Sequence, residues 1–317
     1  MVRFGRETCG DLAAGLRREW LVTNGLGGYA SGTLAGIATR RYHGLLVAAL
    51  DPPVGRTVLV GALVERATFV DSRLGGRVFS LDTQEFASGT IDPQGYRLVQ
   101  SFILDGSIPT WTFALDDALL ERSVWMEHGQ NTTYVRYRLA RSSRSLDLVV
   151  TPLVTYREHH ALRSGMGWTP AVDVISNGLV VRAGRRALPF YLAADGADVE
   201  PVQDWWWGFE HREEAARGLD NRSDMFAAGT LRRRLAPGET WTVVLSVTQD
   251  PILDGDLALD GERRRQRHLL EAAGAEEASG FVRQLVLAAD QFLVRRDVPN
   301  EPDGGRTVIA GYHSFND

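Results

Sequence analysis

Short apolar segments separated by turn signals fill the chain from about residue 20 to residue 250, with no long helical pattern between them. In the segment 133–139, Val135, Tyr137 and Leu139 share one face of an extended chain, and two arginines lie on the other. This alternation is typical of a half-buried antiparallel strand. Many such strands without intervening helices predict a mainly β fold, a large antiparallel β-sandwich over residues 1–250. The clearest predicted strands are Thr57–Val64, Arg97–Leu104, Leu119–Met126, Thr133–Leu139, Leu146–Pro152, Pro189–Ala194 and Thr240–Val247.

The pattern changes after Asp250. Asp260–Gly274 is rich in Arg, Glu, Leu and Ala, which predicts a solvated helix or helical linker. Phe281–Arg296 carries apolar residues at helical spacing and ends on two arginines, an arrangement that suits the helix dipole. We therefore expect residues 251–317 to form a helical region after the sandwich.

Composition narrows the class of protein. The formal net charge of −5 argues against nucleic acid or an anionic membrane as the main partner. No apolar run has the length that a membrane helix needs, and the amino terminus does not resemble a signal peptide. The single cysteine, Cys9, cannot form an internal disulfide and fits a reducing compartment. These features predict a cytoplasmic protein.

A glycine-rich segment near the amino terminus contains the first candidate site. Trp20–Tyr29 includes Gly25, Gly27 and Gly28, and Arg40-Arg41-Tyr42-His43 follows just before an apolar run. The glycines fit neither the dinucleotide fingerprint nor the P-loop, so a phosphate site is disfavoured. Guanidinium, phenol and imidazole groups suit hydroxyl-rich or carboxylate partners, although a purely structural role is an open alternative. The candidate contact residues of this segment are Trp20, Asn24, Arg41, Tyr42 and His43.

Two later segments add candidates. Pro152–Leu162 contains Tyr156, Arg157 and His159, with a second histidine beside the last. A metal site is disfavoured here because adjacent residues on a strand point to opposite faces, and we expect a polar interface loop. Three consecutive indoles cannot all face one core, so at least one of them should contact either sugar or another part of the protein. These indoles belong to Trp205, Trp206 and Trp207.

These segments, together with Ile309-Ala-Gly-Tyr-His-Ser-Phe-Asn-Asp317, closely resemble the amino-terminal domain of bacterial and archaeal glycogen debranching enzymes of the amylo-α-1,6-glucosidase type. The resemblance implies a large β-sandwich (a supersandwich) followed by a catalytic α/α barrel, whose first helix would be Phe281–Arg296. It also implies that Asp317 occupies a sugar-binding position and that both catalytic carboxyl groups lie beyond it. The residues 1–317 should then lack catalytic residues and glycosidase activity.

The resemblance further implies a role in glycogen catabolism, with α-glucan and the protein's own catalytic domain as partners. No cofactor or metal is expected, since glycosidic hydrolysis needs only water and two carboxyl groups. A stand-alone carbohydrate-binding module is one alternative, although such a module has little use for an amphipathic helix at 281–296. The amino-terminal domain of a related glucoamylase or disaccharide phosphorylase is the other, and the Arg-Arg-Tyr-His-Gly motif favours the debranching family over it.

Overall fold

Alternating apolar residues produce strands along most of the chain, as the sequence predicts. The computed structural model describes residues 1–69, 77–296 and 305–314. Its strands are β1 (Val2–Phe4), β2 (Glu19–Thr23), β3 (Tyr29–Thr33), β4 (Gly44–Asp51), β5 (Val54–Phe69), β6 (Val78–Ser80), β7 (Thr83–Glu85), β8 (Ile91–Gln94), β9 (Val99–Asp105), β10 (Ile108–Leu115), β11 (Ala118–Met126), β12 (Thr132–Arg141), β13 (Leu146–Glu158), β14 (Ala171–Ile175), β15 (Gly178–Arg182), β16 (Phe190–Ala193), β17 (Asp198–Glu200), β18 (Asp204–Glu210), β19 (Arg222–Ala227), β20 (Thr230–Leu235), β21 (Thr240–Ser246), β22 (Leu293–Arg296) and β23 (Gly305–Val308).

Helices are few and lie mainly at the two ends of the chain. They are α1 (Arg6–Cys9), α2 (Leu12–Leu16), α3 (Arg212–Ala216), α4 (Gly255–Ala272) and α5 (Gly280–Asp290), with a 3₁₀ turn at Gly95–Leu98. In the described ranges, no helix combines the length and the apolar character that crossing a bilayer would require.

Two large antiparallel sheets form the sandwich. Among the described residues, one sheet has the strand order β1-β9-β10-β11-β12-β21-β16-β15-β14, and the other has the order β17-β20-β13-β5-β4-β3-β2, with β6, β18 and β19 attached beside this path. The largest apolar cluster among the described residues lies between them, formed by residues such as Val135 of β12 and Leu148 of β13. The predicted mainly β fold, a large antiparallel sandwich, is therefore confirmed.

The outer face of β12 is covered, which the alternation alone did not predict. Tyr134 is fully buried there and stacks on Trp125 at 5.2 Å between ring centroids. Leu259 of α4 packs against this pair. The helix begins five residues earlier than predicted because the Asp254 side chain accepts hydrogen bonds from the amides of residues 256 and 257.

The predicted helix Phe281–Arg296 is too long. It ends at Asp290, and Leu293–Arg296 instead forms β22, which pairs with β23. Backbone pairing therefore overrides the helical spacing of the last residues. The predicted loop between these two strands lies mostly outside the described residues.

A charged network lies inside the sandwich. The Glu65 carboxylate is fully buried and accepts hydrogen bonds from Tyr137 Oη at 2.5 Å and from Arg122 Nη1 at 2.6 Å. The Arg122 guanidinium also lies 4.6 Å from the centre of the Trp111 ring. Each charge is thus paired, which a buried ion requires.

Truncation of Leu148 should destabilise the fold strongly, because its side chain is fully buried between the sheets. We expect Leu148→Ala to lower the free energy of unfolding by about 2–5 kcal/mol in urea titrations. The matched control is Leu188→Ala, because Leu188 is 45% exposed. Its effect should stay within about 0.5 kcal/mol, and equal effects of the two changes would contradict the placement of Leu148 in the core.

Candidate functional site

Three of the segments that the sequence singled out meet at one place. Tyr42 lies in the loop between β3 and β4, and its ring centroid is 5.7 Å from that of His159 and 5.5 Å from that of His160. His313 approaches the same loop, with its ring centroid 5.3 Å from that of His43. We call these five residues, Tyr42, His43, His159, His160 and His313, the histidine cluster. They come from three distant parts of the chain, so the cluster is a product of the tertiary fold.

The end of β13 places two of the histidines. Glu158 is the last residue of the strand and pairs with Thr57 of β5, and the amide of His159 then donates to the carbonyl of Arg56 at 3.0 Å. His159 and His160 therefore lie in a turn and not on a strand. This corrects the sequence-based argument about opposite faces, because the two rings lie side by side with centroids 4.0 Å apart.

Buried guanidinium groups hold the loops together. Arg157 donates hydrogen bonds to the carbonyls of Arg41 and Ala161, the latter at 2.7 Å. Arg41 in turn donates to the carbonyl of His160 at 2.7 Å and pairs with the fully buried Glu214 of α3. Burial lowers the pKa of Arg157 to about 10, so it stays charged at neutral pH. The backbone of the cluster is thus fixed by charged donors, which make stronger hydrogen bonds than neutral ones.

The segment that contains His313 is fixed in a similar way. Arg56 is buried and donates to the carbonyls of Gly27 at 2.9 Å and His313 at 3.2 Å. Gly27 has a φ of +96°, and a side chain there would meet the carbonyl oxygen of Pro53 at 2.4 Å. Glycine is therefore required at this turn for both its conformation and its size.

Two imidazoles of the cluster, those of His159 and His313, are neutral at neutral pH. Burial and the neighbouring His160 lower the pKa of His159 to about 4, and burial with His43 lowers the pKa of His313 to about 3. Neutral rings each offer one donor and one acceptor, which suits hydroxyl groups. Although burial raises the pKa of Glu19 beside them, His43 and Arg40 together lower it to about 2. That carboxyl group is ionised at neutral pH and cannot act as the proton donor of a glycosidase.

Two groups in the described part of the chain are close enough for a shared cation: Glu19 with His43 and His313, and Glu158 with His159 and His160. Other partners already engage them. Arg40 Nε donates to Glu19 at 2.8 Å, and the Tyr42 hydroxyl lies 3.2 Å from His160 Nδ1. The expectation of no metal stays a prediction.

Residues 18–242, more than half of the chain, match the profile of a family described as "Glycogen debranching enzyme N terminal". The chain belongs to this family. Four residues of the histidine cluster lie within the matched range, and His313 lies beyond it. The family resemblance stated from the sequence motifs is therefore confirmed.

The chain is also similar to a solved bacterial glucoamylase complexed with acarbose, with 11% sequence identity and a TM-score of 0.34. The match covers 77% of this chain and 32% of the glucoamylase, so the chain spans about a third of that protein's length. A likeness of this degree says nothing about what the present chain binds. No curated protein sequence shows a significant match to it.

Trp20 and Asn24, two of the predicted contact residues, lie inside the protein. Trp20 packs edge-on against Trp111 in the core, with ring centroids 5.4 Å apart. Asn24 is fully buried, and its amide nitrogen donates to Asn131 Oδ1 at 2.9 Å. Both side chains are therefore buried by other parts of the protein, and their contact with a ligand stays a prediction. Apolar alternation in β2 is the signal that would have assigned Trp20 to the core.

The remaining predicted contact residues do not belong to the histidine cluster. Tyr156 lies on the opposite side of β13 from Arg157, where its hydroxyl accepts a hydrogen bond from the amide of Leu188 at 3.2 Å. Trp205, Trp206 and Trp207 lie on β18, and Asp317 is outside the described residues. Sequence reasoning missed Glu19 and Arg56, and the signal available for Arg56 was a single charge in the otherwise uncharged stretch 54–64 of β5.

Acidification should weaken the fold through His211, which holds the loop before Tyr42. Its Nδ1–H donates to the carbonyl of Ala38 at 2.9 Å, and burial, followed by the charge of Arg157, lowers its pKa from 6.5 to about 3. The folded state then binds fewer protons than the unfolded state below pH 6.5, so this stability is complete above that pH and is lost as the pH falls. Between neutral pH and about pH 5, the loss due to His211 should be about 2 kcal/mol.

We expect His211→Asn to remove this part of the pH dependence of the free energy of unfolding in urea titrations. His268→Asn is the matched control, since the His268 side chain is 82% exposed and should leave the dependence unchanged. An unaltered dependence in His211→Asn would show that His211 is not held neutral.

Proposed function

We propose that this chain is the non-catalytic amino-terminal domain of a glycogen-debranching α-1,6-glucosidase that acts in the cytoplasm. It would brace a catalytic α/α barrel and help to shape the site for branched α-glucan, without any cofactor. The family match over residues 18–242 carries the proposal. The histidine cluster and α5 supply two surfaces on which a following domain could rest.

The region around the histidine cluster favours a bracing role because its side chains hold the segment 305–314 in place. Tyr312 packs edge-on against the buried Tyr29 with ring centroids 5.4 Å apart, and Arg56 lies over its ring. The half-buried phenol of Tyr42 lies beside this segment, with its ring centroid 6.4 Å from that of His313, where it could meet sugar hydroxyls. One surface would thus orient the start of the next domain and border its substrate.

Helix α5 favours the same role because only part of it is covered. Leu287 is 6% exposed and packs against Leu270 of α4, whereas Phe281 is 73% exposed and Leu285 is 52% exposed. An exposed apolar stripe of this kind is typical of a surface that meets another part of a protein. The amphipathic helix is what a stand-alone binding module would not need.

Glucose release from glycogen limit dextrin tests the proposal. We expect the chain 1–317 alone to release no glucose, and the complete gene product to release it. Release by the chain alone would contradict the non-catalytic role. Absence of release by the complete product would contradict the debranching assignment.

Removal of the Arg56 guanidinium should loosen the segment 305–314. Arg56→Met loses the hydrogen bonds to Gly27 and His313, each of which is worth about 1.5–3 kcal/mol for a charged donor. Hydrogen exchange of the peptide that covers residues 309–314 should become faster. The control is Arg182→Met, because the Arg182 side chain is 51% exposed and pairs with Asp173 at the surface. Unchanged exchange in Arg56→Met would contradict the bracing role.

A further inference from the structure

An exposed aromatic surface lies on β18, and it shares no residue with the histidine cluster. Trp207 is 54% exposed, and its indole stacks on that of Trp205 with ring centroids 5.2 Å apart and an interplanar angle of 27°. Trp168 approaches Trp205 edge-on at 5.8 Å. We call Trp168, Trp205 and Trp207 the tryptophan platform.

Strand geometry explains why two of the three consecutive indoles share a face. Side chains alternate along β18, so Trp205 and Trp207 point to one side while Trp206 points to the other. Trp206 stacks on Phe209 with ring centroids 6.4 Å apart and packs against a small apolar cluster. Trp205 contacts Phe226 of the main core, which anchors the platform to the sandwich.

The platform is held rigidly by the loop that follows β13. A side chain at Gly165 would meet the rings of Trp205 and Trp207 at 2.6 and 2.7 Å, so only glycine lets this loop lie against both indoles. One carboxylate fixes the arrangement, because Asp224 accepts hydrogen bonds from the amide of Gly165 at 2.9 Å and from that of Gly208 at 2.7 Å. Gly208 has a φ of +73° and lies in a bulge of β18. The two indoles are therefore ordered before any ligand arrives.

A third contact orders Trp168. Its indole N–H donates to the carbonyl of Ala183 at 2.9 Å, and the Arg163 guanidinium lies 4.9 Å from its ring centre. Arg163 also donates to the carbonyl of Tyr156 at 2.7 Å. Binding on such a surface costs little conformational entropy, because the side chains do not need to be immobilised.

We propose that the tryptophan platform is a glucan-binding site, on which the exposed indole of Trp207, supported from behind by the stacked indole of Trp205, packs against the C–H face of a glucose unit in an α-1,4-linked chain. The choice of α-glucan as the ligand rests on the proposed function. A surface of two indoles is much smaller than the roughly 800 Å² per partner of a stable protein interface, but it matches a short oligosaccharide. The flat, exposed ring of Trp207, with an N–H group at its edge, suits a ligand with apolar faces and peripheral hydroxyls.

Calorimetric titration of the chain with maltoheptaose tests this site. We expect saturable binding in the millimolar range or tighter, and a loss of about tenfold or more in affinity for Trp207→Ala. Trp207 is the residue to change because its side chain is largely exposed, so the fold should not depend on it. Circular dichroism and thermal unfolding of the variant should match those of the parent chain.

One further variant serves as a control, and another compares the two candidate surfaces. Trp206→Phe changes an indole on the opposite face of the same strand, and it should leave the affinity within about twofold. Tyr42→Ala alters the histidine cluster, the other surface that could meet sugar, so its affinity is compared with that of Trp207→Ala to decide which surface binds maltoheptaose. Loss of binding in Tyr42→Ala with none in Trp207→Ala would assign the sugar to the histidine cluster and overturn the platform. Equal affinity for a β-1,4-linked glucan of the same length would overturn the choice of an α-glucan.

The failure of this proposal is distinguishable from that of the proposed function. Absence of maltoheptaose binding, with glucose still released by the complete gene product, overturns the platform alone. Binding that depends on Trp207, without glucose release by the complete product, overturns the debranching role alone. Self-association of the chain that Trp207→Ala abolishes, without sugar binding, would make the platform a protein contact and overturn the glucan site.

Discussion

The pairing of the two longest strands, β5 and β13, is the constraint on which the rest of the structure depends. The ladder runs from Leu146 opposite Phe69 to Glu158 opposite Thr57, and the amide of His159 continues it by bonding to Arg56. Because side chains alternate with a period of two, a slip of one residue would turn the buried face of one strand outward relative to the other. The same register that fills the core therefore places His159, His160 and Arg56 at one end of the sheet. Core packing and the site are set by one set of backbone hydrogen bonds.

The buried arginines of the site position backbone segments through the planar geometry of their guanidinium groups. The sequence contains no Lys, and all 35 basic residues are Arg. In the site, Arg157 and Arg56 each bind carbonyls from different segments of the chain. A guanidinium group presents several donors in a fixed plane, whereas an ammonium is a point charge on a flexible stem. Arginine is thus suited to hold three loops at defined distances while it remains charged inside the protein.

Local sequence patterns were sufficient to predict the β-sandwich, but they did not predict how α4 covers it or where α5 ends. The alternation around Val135 predicted β12, and the apolar run at 146–152 predicted the start of β13. The burial of Tyr134 depends on α4, and the end of α5 at Asp290 depends on the pairing of β22 with β23, so neither follows from a short window of sequence. The motifs singled out the three segments that form the histidine cluster, but they did not show that these segments meet. They could not show that Trp20 and Asn24 face inward or that His159 and His160 lie in a turn, because those facts depend on contacts between distant residues.

The position of helix α5 affects the open edge of the sheet that ends at β2. Gln284 of this helix donates a hydrogen bond to the carbonyl of Gly106 at 2.8 Å, next to the nine-stranded sheet. Gln291, just after the helix, donates to the carbonyl of Leu21 at 3.1 Å, and Leu21 lies in β2, the outermost strand of the other sheet. The helix therefore bridges both layers on the side where β2 ends its sheet. An open strand edge with free carbonyl groups is a template for pairing with another chain. Gln291 therefore occupies one outward carbonyl of β2 that a strand of another chain would otherwise be able to pair with.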